Sequence, residues 1–243
     1  MDSGFYSTFT GFSTRLDALE VVANNLANAN TTGYKAQVSF YRAMPAWLQE
    51  SLTTPLNQVV NRFGVLGGAQ LDLTPGNLEK TENPTDVALQ GAGFFNVQTK
   101  AGVRFTRDGN FQLNAKRQLV TGTGDPVLGE QGPLQIPSGQ ITISEDGTIS
   151  VDGGVVAKLK VTEFVSATDL KPEGNSYFAS KSAGKLSPDP RVMQGSLETS
   201  NANPVKATVS LIELQRTAQM MEKALSIFHN EFNKTAAQDL PRD

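Results

Sequence analysis

The chain has 243 residues, 38% of them apolar, with no cysteine, one histidine and a net charge of −3. That length holds one core or two smaller domains; the mixed charge argues against a general nucleic-acid or anionic-membrane binder, and the missing cysteine excludes disulfides and thiolate metal sites. No apolar run approaches the ~18 residues of a membrane span, and the start Met1-Asp2-Ser3-Gly4-Phe5 lacks the basic and apolar regions of a cleaved secretory signal.

The first predicted element is a helix over residues 3–29. Phe5, Phe9, Phe12, Leu16, Leu19, Ala23 and Leu26 recur at alternating spacings of four and three, which lays a narrow apolar seam along one side of a helix. Its propensity is poor: Gly4, Thr8, Thr10 and Gly11 lie inside it, and after Asp2 its charge is confined to Arg15, Asp17 and Glu20. Such a helix is marginal alone and needs partners. Asn24, Asn25 and Asn28 crowd its end, and Gly33 suits the left-handed residue that stops a helix.

Residues 37–75 read as an extended connector with a short helical piece around Trp47 and Leu48, interrupted by Pro45. From Gly76 onward the pattern changes to period two with tight turns. Strands are expected at Phe94–Val97, Val103–Thr106 and Asn110–Leu113, the last two joined by Asp108-Gly109. Ile141–Ser144 and Thr148–Val151 flank Asp146-Gly147, a second hairpin signal, and Val155–Phe164 reads as one longer strand. A C-terminal helix begins at Asn203 as N-cap and Pro204 as first helical residue. Its seam runs through Ala207, Leu211, Leu214, Ala218, Met221, Leu225, Phe228 and Phe232. At the ordinary helical rise the two seams are ~32 and ~38 Å long, matched for pairing. The expected fold class is α+β, with terminal helices pairing as a coiled-coil α-domain around a central all-β domain of hairpins. The expected division is a helical arm at 1–36, a connector at 37–75, the β-domain at 76–196 and the C-terminal helix at 197–243.

Catalytic chemistry is hard to find. His229 is a helix residue beside Phe228, and no second histidine or cysteine joins it in a metal site. Glu145, Asp146, Asp152 and Asp125 sit in turn contexts with the wrong spacing for a calcium loop. Gly91-Ala92-Gly93 leads into a strand, not a helix, and reads as a turn rather than a dinucleotide fingerprint. Asp86, Asp108 and Glu163 are the acids a hydrolytic or sugar-binding β-domain would use. No enzyme and no cofactor is expected.

Longer motifs point elsewhere. Ala23-Asn24-Asn25-Leu26-Ala27-Asn28-Ala29-Asn30-Thr31-Thr32-Gly33-Tyr34-Lys35 resembles the N-terminal signature of flagellar basal-body rod and hook proteins. Gly195-Ser196-Leu197-Glu198-Thr199-Ser200-Asn201-Ala202-Asn203-Pro204-Val205, continued by Leu211-Ile212-Glu213-Leu214-Gln215-Arg216, resembles their second signature. Gly91-Ala92-Gly93-Phe94-Phe95, Phe105–Phe111 and Ile143–Thr148 match between them. The sequence departs from the pattern at Thr217-Ala218-Gln219, where an aromatic is common, and in the tail Asp239–Asp243. The resemblance implies a structural subunit of the rod, polymerising through its terminal helices, with an inner α-domain and an outer β-domain. By length and lack of a large insertion the chain is most similar to the proximal-rod member, a distal-rod or hook-type protein being the alternative. Implied partners are other copies, neighbouring rod or hook subunits and the flagellar type III export apparatus, which would carry the chain across the inner membrane without a cleaved signal. The residues expected to form the assembly motif are Asn24, Asn25, Leu26, Asn28, Thr32, Gly33, Tyr34, Asn203, Pro204, Gln215 and Arg216.

Overall fold

The structure, a computed structural model, describes residues 2–42 and 65–239. It is α+β: two long helices, α1 (Asp2–Ala27) and α2 (Pro204–Asp239), bracket a β-rich region. The described residues fall into two compact units. One takes those of Met1–Ala27, Gln37–Gln70 and Pro204–Asp243, the other Asn28–Ala36 and Leu71–Asn203. This division differs from boundaries at 36 and 197, because the residues just after α1 and just before α2 are hydrogen-bonded into the β-rich unit.

In the helical unit α1 and α2 lie side by side. Among the described side chains the buried ones are small: Thr14 and Ala18 on α1, Ala207 and Ala218 on α2. The same line on α1 includes Gly11, whose Cα faces the end of the Met221 side chain. It therefore runs beside the apolar seam anticipated from the sequence: Phe12, Leu19, Ala23 and Leu26 are half-buried, but Phe9 and Leu16 remain 54% and 45% exposed. Small side chains let two helices approach closely. On α2, Leu211, Leu214, Met221 and Leu225 are half-buried. The side chains of Phe5, Phe228, His229 and Phe232 lie outside the described residues, as does the helical piece expected around Trp47 and Leu48. The connector's described parts contain two strands, Gln37–Arg42 and Val65–Leu71, paired with each other.

The β-rich unit is built on a six-stranded antiparallel sheet in the order Leu170–Gly174, Tyr177–Ser180, Gly102–Thr106, Phe94–Thr99, Val161–Glu163 and Lys185–Leu186. Side chains alternate across a strand, so Phe94 and Phe95 enter different cores. Phe95 meets Phe111 edge-on at 5.1 Å, in a cluster with Val87, Leu119, Val127, Ile149 and Val161. Phe94 packs edge-on against Phe164 and Phe178, beside Leu71 and Leu170.

The expected hairpin at Asp146-Gly147 is present, Ile141–Ile143 pairing with Thr148–Val151. Gly147 supplies the positive φ of 82° that closes the turn. Asp108-Gly109 is not a hairpin turn. Gly102–Thr106 pairs with Phe94–Thr99 and Tyr177–Ser180, whereas Phe111–Leu113 pairs with Leu119–Thr121. Gly109 serves close approach, since a Cβ there would overlap the Val87 carbonyl. The strand expected over Val155–Phe164 is two strands in different sheets, Gly154–Lys158 and Val161–Glu163. Between them Leu159 turns into the core.

Candidate functional site

The two signatures meet inside the β-rich unit. Gly33 has φ +64°, and a side chain there would overlap the backbone of Arg107 and Asp108. Only glycine meets both demands. That contact places the next residues against the Ser196–Glu198 strand, where the Gly33 N–H donates to the Glu198 carbonyl at 2.8 Å. Lys35 then turns inward. Its side chain is 1% exposed and its Nζ donates to Glu198 Oε1 at 2.6 Å and to the Thr74 carbonyl at 2.7 Å. Glu198, with a fully buried side chain, also receives Arg107 Nη1 on Oε2 at 3.1 Å and the Gly76 N–H on Oε1 at 2.9 Å.

Arg107 donates to the carbonyls of Leu89 and Gly91 and lies over the Phe94 ring, 5.2 Å from its centroid. Its Nε is buried without a partner. Burial pushes the Lys35 ammonium below its ordinary pKa, and Glu198 acts in the opposite sense. Burial likewise lowers Arg107. Removing one member of such a group strands a charge away from water, at a cost of about 3–5 kcal/mol.

Asparagine amides imitate backbone within each unit. In the helical unit Asn25 Nδ2 donates to the Gln37 carbonyl at 2.7 Å while its Oδ1 accepts the Gln37 N–H at 2.9 Å. In the β-rich unit Asn201 Oδ1 accepts the Ala36 N–H at 2.7 Å, and Nδ2 donates to the carbonyls of Asp72 and Thr74. An amide offers a donor and an acceptor side by side, as a strand does. Thr32 Oγ1 donates to Asp108 Oδ1 at 2.8 Å. Burial raises the Asp108 pKa against this bond and the one from Asn110.

The anticipated motif residues thus divide. Asn25, Thr32, Gly33 and the Tyr34 backbone tie the chain to itself, Asn28 shapes the turn to Thr31, and Leu26 is half-buried. Asn24, Asn203, Pro204, Gln215 and Arg216 are exposed. Lys35, Arg107, Glu198 and Asn201 were legible only as parts of longer motifs. A usable signal existed: Lys35 is the one charge between Glu20 and Arg42, and Glu198 the one between Arg191 and Lys206. Isolated opposite charges in uncharged stretches are candidates for a buried pair. Asp86 accepts from Asn83 and Glu163 from Ser187, each a local tie. Among the described residues no group of acids or histidine could hold a metal ion, and no helix is long and apolar enough to cross a membrane.

Family models match three stretches: "Flagella basal body rod protein" over residues 5–35, "Flagellar hook protein FlgE/F/G D1 domain" over 88–151, and "Flagellar basal body rod FlgEFG protein C-terminal" over 193–235. The flagellar basal-body rod protein FlgF of Escherichia coli is 37% identical, the match covering 93% of this chain and 94% of that one. The Salmonella typhimurium FlgF is 36% identical over 95% and 96%. The chain belongs to the flagellar basal-body rod protein family. A FlgG of Buchnera aphidicola is 32% identical, with 89% of this chain and 92% of that one covered. Family membership makes the protein a structural rod subunit of the flagellum, not an enzyme, and the resemblance to the proximal-rod member holds while the distal-rod or hook alternative is not favoured. It also carries self-assembly with neighbouring rod proteins. The first and last family matches contain Lys35 and Glu198, the two ends of the buried joint.

Proposed function

We propose that the subunit polymerises into the axial drive shaft through apolar faces of α1 and α2 that a single chain leaves uncovered. The observation that carries this is a second stripe on α2: Val205 is 72% exposed, Val209 52%, Ile212 46%, Met220 65% and Ile227 55%. These residues follow helical spacing on a side distinct from Ala207, Leu211, Leu214, Ala218, Met221 and Leu225. Phe9 and Leu16, one heptad apart, are exposed on α1 in the same way. Faces of this kind suit coiled-coil contacts with other copies and with neighbouring rod or hook subunits. Asn24, Asn203, Gln215 and Arg216 then contribute polar contacts between subunits, whereas Asn25, Thr32 and Gly33 act within the chain. Domain boundaries near 27 and 204 fit this reading better than 36 and 197. Passage through the flagellar type III export apparatus without a cleaved signal accords with family membership.

The test is Ile212→Asp in cells, with incorporation into purified basal bodies scored beside circular dichroism of the monomer. Ile212 is exposed in the single chain, so the monomer should keep its helical signal while incorporation and swimming are lost. Leu225→Asp is the less clean variant, because half-buried Leu225 lies on the covered side of α2. Normal swimming with Ile212→Asp would refute the second stripe as an assembly face.

A further inference from the structure

Residues 28–36 are seated on the β-rich unit with little apolar help. Among their side chains only Lys35 and Ala36 are buried. The bonds that hold the segment are polar, and many reach the C-terminal signature: Gly33 N–H to the Glu198 carbonyl, Lys35 Nζ to Glu198 Oε1, Ala36 N–H to Asn201 Oδ1 and Asn201 N–H to the Tyr34 carbonyl. Glu198 is the hub, and its two oxygens are used unequally. Oε2 takes Arg107, whose other bonds run to Leu89 and Gly91. Oε1 takes Lys35 and the Gly76 N–H. Without Lys35, Glu198 still has Arg107 and Gly76. Without Glu198, Lys35 would lie buried with the Arg107 charge opposing it, left with the Thr74 carbonyl and the smaller attraction of Asp72.

We propose that Lys35, Glu198 and Arg107 form a clasp that makes the seating of residues 28–36 conditional on the C-terminal strand Ser196–Glu198. α1 ends at Ala27 and α2 starts at Pro204. The chain leaving one helix and the chain entering the other are therefore pinned together only when both ends of the polypeptide are in place, and neither pins alone. Lys35 acts as a positioning residue for residues 28–36. The clasp operates within one chain and does not depend on the assembly reading above.

Amide hydrogen exchange on the full-length monomer tests it. Lys35→Met should speed exchange at Gly33 and Ala36 on the order of 100-fold while leaving the strand Phe94–Thr99 protected. Glu198→Gln should free the same two amides at least as much. The double variant should free them no further than Glu198→Gln alone, because the Lys35 contribution runs through Glu198. Retained protection at Gly33 and Ala36 in Lys35→Met would overturn the proposal. So would a uniform loss of protection across the sheet in Lys35→Met, or additive effects in the double variant.

Discussion

The β-rich unit and the helical unit are stabilised in opposite ways. The first places aromatic side chains in two cores and encloses an ion cluster whose residues lie as far apart as 35 and 198. The second covers small residues and leaves Phe9, Leu16, Val209 and Met220 in water. Burying apolar surface contributes roughly 25 cal/mol per Å², so the large side chains left exposed on α1 and α2 contribute little of that stabilisation in the single chain. One unit is complete in the single chain; the other, on the proposed function, is completed by neighbouring subunits.

Substitutions matched across the two units test that contrast. The largest effect is expected in the aromatic core. Phe95 is fully buried against Phe111, and Phe95→Ala should cost about 3–5 kcal/mol in denaturant unfolding of the β-rich unit. A loss below ~1 kcal/mol would mean this core is not what holds the unit together.

The glycines divide in the same manner. At Gly33, φ is +64° and a Cβ would overlap the Arg107–Asp108 backbone, so Gly33→Ala should destabilise by about 1–3 kcal/mol. At Gly11 a Cβ would make only ordinary contact with Met221, at 3.6 Å. Gly11→Ala should therefore stabilise α1 by about 0.5–1 kcal/mol through its helix propensity. Thermal melts of both variants, followed by circular dichroism, would read the two signs. A destabilised Gly11→Ala would show that the helices meet more tightly there than an alanine allows.

The smallest effect lies in the hairpin at the surface. Thr148 donates to Asp146 from both its hydroxyl and its backbone, holding the carboxyl below the ordinary aspartate pKa. A depressed folded-state value stabilises fully above the ordinary value and is lost as pH falls through the depressed one. Thr148→Val removes the stronger of these bonds, so the Asp146 titration followed by NMR should move upward, with little change in the melt. An unmoved titration would assign the depression to the backbone bond and to Lys158.

Proteolysis probes the division itself. From sequence, a resistant fragment would run from about residue 70 to 200. The hydrogen bonds of Gly33, Lys35 and Ala36 add a second, discontinuous piece. Mass spectrometry of the resistant core should therefore recover residues 28–36 together with it. A stable core lacking them would show that the joint is dispensable for the β-rich unit.

The α+β class, the Asp146-Gly147 hairpin and the left-handed backbone of Gly33 follow from local rules, because period, turn chemistry and positive φ act within a few residues; that Gly33 would stop the helix did not, since α1 ends at Ala27 and Gly33 instead meets the Arg107–Asp108 backbone. The family followed from motifs that are contiguous in the chain. Which face of α1 would be covered did not follow: an apolar seam identifies surface that prefers burial, whereas the buried side chains described on α1 are Thr14 and Ala18. Nor did the failure of Asp108-Gly109 to turn a hairpin, since Gly109 answers to the distant Val87 carbonyl. Lys35, Arg107 and Glu198 stand apart in sequence, and each alone reads as an ordinary surface charge. Tertiary structure brings them within hydrogen-bonding distance away from water, where a charge persists only if another satisfies it.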